Sequence, residues 1–360
     1  MGETIMKLWK ITFATLAAIM MTANLSIASA KEFKLTMSSS HPPLVPWVAM
    51  LKNFVVPETN KRLKAMGGKH SIKWTEAYAG ALYNFKNTLE GIQDGLGDVG
   101  WVGTLWEPNK MPLWNVSYYA PFADESVLTM RDIAEDMNKN LPILQAQWKK
   151  YNQVYLGVSP GDGYVLISKT PINSLADLKG KKIYAPGAVS RWVEGTGAIG
   201  VNGGLPVYYN GMKTGIADAA IVPGSAILPF KLFEVAPYLI ESKMGGSIFG
   251  GLSVNLDRWN TFPPEMKKMF REIGQEYSQK VADTVDANRK KHFKIMASKG
   301  AKISRFPIAE EQKWAQLIPD IAGDWVKSTM KKGLPADKIL KAFMDGIRKR
   351  GGKPLRQWDK

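Results

Sequence analysis

The sequence predicts an α/β fold with substantially parallel sheets. Three observations carry this. Strand-like apolar runs alternate with helical patterns through the first two thirds of the chain, one long helical periodicity follows late, and the N-terminus reads as a removable leader. With 360 residues, 45% of them hydrophobic and 22% charged, the chain has room for two domains and the make-up of a globular protein rather than a disordered one.

The leader comes first. Lys7 and Lys10 form a positive n-region, Ile11 to Ala23 an apolar stretch too short to span a bilayer, and Ala28-Ser29-Ala30 a small-x-small cleavage site. Residues 1–30 are therefore read as a signal peptide, which places the mature chain in the periplasm. Its removal leaves 46 basic and 31 acidic residues, a net charge of +15. An exported chain does not normally meet the genome, so no nucleic-acid partner is expected. The charge is read as a diffuse field favouring anionic solutes, or as a solubility device. No later run is long and apolar enough to suggest a membrane span.

The absence of cysteine excludes disulfides, thiolate-bound metals, a cysteine nucleophile and a lipid-modified cysteine. The three histidines, His41, His70 and His292, are scattered without ligand spacing, so no metal or other cofactor is expected.

Along the mature chain, Phe33 to Met37 reads as an opening strand that runs into the loop Ser38-Ser39-Ser40-His41-Pro42-Pro43. A helical stretch over Trp47 to Lys64 follows, then a strand at Ile72 to Glu76, a helix at Leu89 to Gln93 and a strand at Asp98 to Val102. Ser126 to Lys150 has helical spacing with Leu128, Ile133, Met137 and Leu144 inward. Short strands are expected at Val154 to Val158, Tyr164 to Ser168, Lys182 to Tyr184 and Ala219 to Val222.

Met266, Met269, Phe270, Ile273, Tyr277, Val281 and Val285 then recur at spacings of three or four between Pro264 and Gly300. An unbroken helix there would run about 50 Å, a length suited to a strut touching two domains. A break near Gly274 or Asn288 is the alternative. Helices are expected at Glu310 to Lys331 and Ala336 to Lys349, and the basic tail from Arg348 is read as a solvated end.

Gly195-Thr196-Gly197-Ala198-Ile199-Gly200 matches a dinucleotide fingerprint in letters only. Ser190 to Glu194 before it looks helical, and the stretch from Val201 to Pro206 is not expected to begin a helix, so it reads as a helix-terminating loop. No nucleophile elbow or phosphate loop occurs, and no enzyme is expected.

Aromatics are the positive signal: Trp101, Trp106, Trp114, Tyr118 and Tyr119 crowd one stretch, and Tyr184, Trp192, Tyr208 and Tyr209 another. Trp101 and Tyr184 stand at predicted parallel strands, whose carboxyl ends are where open α/β sheets bind ligands. His41, just beyond the first strand, either lines the same crevice or merely turns the chain before two prolines.

Several segments in order resemble the DctP-type solute receptors of TRAP transporters. Ser39-Ser40-His41-Pro42 is similar to the family's first-strand loop, and Ala79-Gly80-Ala81-Leu82 with Leu89 to Gly100 to its glycine-leucine segment and strand entry. Ile172 to Ile183 resembles the opening of its second domain, Met212 to Asp218 its L-Q-T-G-x-x-D segment, and Val254 to Trp259 before Pro263-Pro264-Glu265 its approach to the long helix. Together they cover essentially all of Lys31 to Arg350.

The resemblance implies a two-lobed periplasmic binding protein fold with hinge strands and a long helix bracing both lobes. Lobe I would take residues 31–157, with about 247–285 returning to it, and lobe II 158–246 with part of the C-terminal helices. Crossings are expected near Val158 and Gly246. The bracing helix would span 264–299, and 300–360 would hold the C-terminal helices and tail. A ligand in the cleft would favour closure, and the closed receptor would dock on a separate membrane permease subunit.

Departures from the family bear on the ligand. Where typical members place an arginine after Lys-Ile this chain has Tyr184, Tyr164 to Ser168 carries no counterpart of a second arginine, and the family's asparagine before proline is Val222. Tyrosine cannot neutralise a buried carboxylate. Either Arg191 supplies the cation from a displaced position, or the ligand is weakly polar or aromatic. Combining the two, the expected ligand is a bulky or aromatic organic acid, a monocarboxylate, contacted by His41, Tyr83, Trp101, Tyr184, Arg191, Trp192, Tyr209 and Val222. A small dicarboxylate receptor, an exported enzyme and a sensor-partner protein on the same scaffold are the alternatives.

Overall fold

The computed structural model describes residues 31–360, so the leader lies outside the described residues. Among the described residues eleven strands form two mixed sheets. In chain order they are β1 (Lys31–Ser38), β2 (His70–Ala77), β3 (Val99–Val102), β4 (Gln153–Gly161), β5 (Tyr164–Ser168), β6 (Lys182–Tyr184), β7 (Ile199–Val201), β8 (Ala219–Pro223), β9 (Tyr238–Glu241), β10 (Ser247–Asn255) and β11 (Lys302–Arg305). The first sheet has the order β2-β1-β3-β10-β4 and the second β11-β9-β5-β8-β6-β7.

β1 runs parallel to β2 and β3, as β6 does to β7 and β8. The two return strands make each sheet mixed. β10 is antiparallel to β3 and β4, and β5 to β8 and β9. Sequence reading passed over β10 for a physical reason: every residue of Ser247–Asn255 is buried, so no alternation of polar and apolar residues marks it.

The chain changes sheet three times. It leaves the first at Gly161 and enters the second at Tyr164, returns to the first between Glu241 and Ser247, and passes back to the second between β10 and β11. The first two crossings touch, Tyr164 donating its backbone N–H to Gly245 O at 3.0 Å.

The helix Pro264–Ser298 is unbroken, and all seven periodic apolar residues from Met266 to Val285 are buried. Gly274 does not interrupt it. It lets the helix backbone meet β4, because a Cβ there would lie 2.4 Å from Leu156 O, and one at Gly157 would lie 2.1 Å from Gly274 O. Tyr277 Oη bonds Trp47 O at 2.9 Å and Ser159 Oγ at 2.8 Å, fixing the helix to the first lobe. Toward its C-terminus Arg289 donates to Asp162 Oδ2 at 3.2 Å and to Gly163 O at 2.8 Å, at the first crossing, and the helix packs on Gly224–Ile227 and β11 of the second lobe.

Other expectations are corrected. Ser126 to Lys150 is two helices, Val127–Asn140 and Pro142–Lys150, parted because Pro142 lacks an amide hydrogen. Leu128 is 36% exposed rather than inward. Glu310 to Lys331 likewise divides around Pro319 into Ile308–Leu317 and Ile321–Met330, the second capped by the Asp320 side chain. A helix does begin before Pro206, at Leu205–Lys213, with proline in the first turn where its missing donor costs nothing. The tail is not solvated: Trp358 is buried, with its indole N–H bonded to Pro121 O, and Arg348 pairs with Asp359. Among the described residues no helix is long and apolar enough to cross a membrane.

Candidate functional site

A small cavity lies between the sheets, at the carboxyl ends of their parallel strands. From the first lobe come His41, in the loop after β1, Trp47, Trp101 on β3, and Leu105 and Trp106 in the turn after it. From the second come Tyr164, Pro186, Gly204, Leu205, Tyr208, Ile221 and Pro223, and β10 adds Phe249. The lining is aromatic and holds no Lys, Arg, Asp or Glu.

The first-lobe rings form one cluster around His41. Its imidazole lies edge-on to Trp101 at 5.2 Å, stacks on Trp106 at 5.5 Å, and meets Trp47 at 6.3 Å between centroids. Trp47 also packs edge-on to Phe249 at 5.1 Å, and Phe249 meets Tyr164 of the opposite lobe at 6.1 Å. Rings so placed present faces and edges to anything planar that enters.

The polar atoms of this wall are unusual in having no partner. The indole N–H groups of Trp47, Trp101 and Trp106, and His41 Nε2, are buried without a hydrogen bond inside the protein. Buried donors are normally satisfied, at about 1–3 kcal/mol each if left bare. All four belong to residues that line the cavity. The other ring nitrogen of His41 is held, Nδ1 lying 2.9 Å from Ser40 Oγ. Burial lowers the His41 pKa to about 4, so the imidazole is neutral at pH 7.

Of the eight residues expected to contact the ligand, the structure places His41 and Trp101 in the lining and the other six behind or away from it; Trp106 and Tyr208, noted from sequence as aromatics only, also line it. Tyr184 stacks on Tyr208 at 4.6 Å with 11° between the planes, so it backs a lining ring instead of facing the cavity. Trp192 similarly supports Tyr164 edge-on at 5.2 Å and donates its indole N–H to Tyr118 O at 2.7 Å. Tyr83 bonds Ser38 Oγ at 2.8 Å, and Tyr209 reaches Glu234 at 3.1 Å.

Val222 sits on β8 between two lining residues, Ile221 and Pro223. Arg191 is committed elsewhere, paired with Glu194 at 3.0 Å and Asp324 at 3.0 Å; those carboxylates raise its pKa. It is not among the side chains that line the cavity. Sequence reading missed Trp47, Tyr164 and Phe249. Trp47 stands in a helix among three prolines, Tyr164 opens a strand considered only for its lack of an arginine, and Phe249 lies in the unmarked β10.

Residues 37–327 match the family model of bacterial extracellular solute-binding proteins, family 7 (DctP). Among solved structures, the fold is similar to a TRAP solute binding protein from Rhodoferax ferrireducens in complex with copurified benzoate. The TM-score is 0.77 at 18% identity, over 88% of this chain and 98% of that one. A marine metagenome TRAP solute binding protein specific for aromatic acid ligands, with 3-hydroxybenzoate, gives 0.76 at 22% identity, over 88% and 98%. A Bordetella pertussis extracytoplasmic solute receptor binding pyroglutamic acid gives 0.73 at 19% identity, over 88% and 99%.

Proposed function

The chain belongs to the DctP family of bacterial extracellular solute-binding proteins, and on that premise we propose that it is a periplasmic receptor for an aromatic or similarly planar organic acid. It holds this acid between its lobes and hands it to a TRAP membrane permease. Family and fold neighbours are transport solute-binding proteins rather than enzymes. The observation that carries the ligand reading is the wall itself: Trp47, Trp101, Trp106, Tyr164, Tyr208 and Phe249 surround the cavity, and no charged side chain lines it.

Burial of one aromatic ring removes roughly 150–250 Å² from water, and at about 25 cal/mol per Å² this favours ring-bearing solutes by several kcal/mol. A small dicarboxylate offers no such area and brings two charges where the lining has no cation, a cost its carboxylates cannot recover. Both lobes contribute walls, so a ligand touching both stabilises the closed form over any open one.

The reading is tested by thermal denaturation of the mature protein with benzoate, 3-hydroxybenzoate, pyroglutamate and succinate. Stabilisation by the two benzoates and none by succinate is expected. Stabilisation by succinate with no response to either benzoate contradicts the reading.

A further inference from the structure

We propose that an acid entering this cavity brings one proton with it, and that His41 carries that proton in the complex. The inference rests on the ring-acid reading above and adds how the charge is balanced. A carboxylate in the cavity meets three indole N–H groups, from Trp47, Trp101 and Trp106, which are good donors but neutral. Donors without charge leave a buried anion uncompensated, and buried charges persist only when paired. One lining side chain, His41, can become a cation by taking up a proton. It is wholly buried, and its Nε2 has no partner inside the protein.

The surroundings admit both protonation states. Nδ1 lies 2.9 Å from Ser40 Oγ, and a hydroxyl serves either partner. It donates to Nδ1 when the ring is neutral with its hydrogen on Nε2, and accepts from Nδ1–H when the ring is an imidazolium. The second hydrogen, on Nε2, is then free for the carboxylate. The elements packed against His41 bring Trp47, Trp101 and Trp106, and across the cavity stand Tyr164 and Tyr208. Both tyrosines are pushed upward by burial and stay neutral. Glu107, next to Trp106, is tied into the cluster of Lys110 and Glu90. The histidine's own shift has burial as its sole cause, with no charge contributing. A ligand carboxylate therefore supplies the missing partner and moves the imidazole back toward its charged form.

The sign follows from linkage. In the free protein His41 is neutral between pH 5.5 and 7.5, since burial holds it at about 4. The acid is ionised over the same range. If the complex holds one proton more than the free partners, affinity falls as pH rises, by about tenfold per pH unit until the pKa of the complex is reached. A neutral ligand of the same shape takes up no proton.

The experiment is isothermal titration of the full mature protein with benzoate and with benzamide at pH 5.5, 6.5 and 7.5, in two buffers of different ionisation enthalpy. It is joined by ring-proton NMR of the three histidines with benzoate at pH 6.5. The expected results are a benzoate Kd that rises about tenfold per pH unit, uptake of one proton, a benzamide Kd that does not change, and one histidine that becomes imidazolium on adding benzoate. A benzoate Kd flat across the range with no proton uptake overturns the proposal while leaving the ring-acid reading intact. Proton uptake with every histidine unchanged overturns the assignment to His41. Failure of benzoate and 3-hydroxybenzoate to bind at any pH contradicts the ring-acid reading, and the proton proposal falls with it.

Discussion

At the residue scale the site divides into side chains that face the cavity and side chains that hold them in place. Arg191 shows the difference most sharply. Its guanidinium faces Glu194 and Asp324 at the protein surface, both substantially exposed, where such pairs contribute about 0–1 kcal/mol. Arg191→Ala is thus expected to leave benzoate affinity within about twofold and to lower stability by less than about 1 kcal/mol, as read by titration and urea unfolding. A tenfold loss of affinity would put Arg191 back in the site.

From sequence, a missing cation invites a search for the next arginine. In the structure the turn Gly187–Val193 pairs Arg191 with Glu194 and Asp324, while Trp192 packs on Tyr164. His41 and Trp101 were legible because strand ends face the cleft. Tyr184 was chosen by the same rule, but its ring lies beneath the helix Leu205–Lys213, stacked on the Tyr208 that lines the cavity.

At the element scale the long helix is the part that sequence described best. Its apolar stripe and its start at Pro264 were visible from spacing alone, and the structure removes the suspected break at Gly274. Two opposing effects meet at that glycine. In an exposed helix Gly→Ala stabilises by about 1 kcal/mol. Here the added methyl would stand 2.4 Å from Leu156 O, in a strand held to β10 by a nearly continuous ladder and already in close contact with the helix backbone at Gly157. Overpacking of this kind costs about 1–3 kcal/mol, so Gly274→Ala is expected to destabilise the protein net, seen as a lower urea midpoint at unchanged slope. A rise in midpoint would show that the helix and β4 can separate freely. Elements without a period stayed hidden. β10 is buried on both faces, and the paired helices Val127–Asn140 and Pro142–Lys150 share one spacing, parted only by the proline that ends the first.

At the scale of the whole molecule, two sheets are joined by two touching crossings, at Asp162–Gly163 and Ser242–Gly246, and by the long helix. The cavity takes walls from both lobes, so a ligand that contacts Tyr208 on one and Trp101 on the other is expected to favour the closed form of the proposed receptor. Residues 31–360 carry a net charge of +15, yet the cavity itself has no charged lining, so in the proposed receptor long-range attraction of anions would be separate from their recognition. The C-terminal tail, read from its basic composition as solvated, instead returns through Trp358 to Pro121, a contact far apart in sequence that no local pattern announces.

The central claim is that an aromatic acid is held among the rings by neutral donors and one histidine. A crystal structure of the mature protein grown with 3-hydroxybenzoate tests it most directly. The expected result is the ring between Trp101 and Tyr208, with carboxylate oxygens in hydrogen-bond reach of His41 Nε2 and at least one of the three indole N–H groups. A ligand bound outside this cavity, or a carboxylate paired with an arginine, would contradict the account.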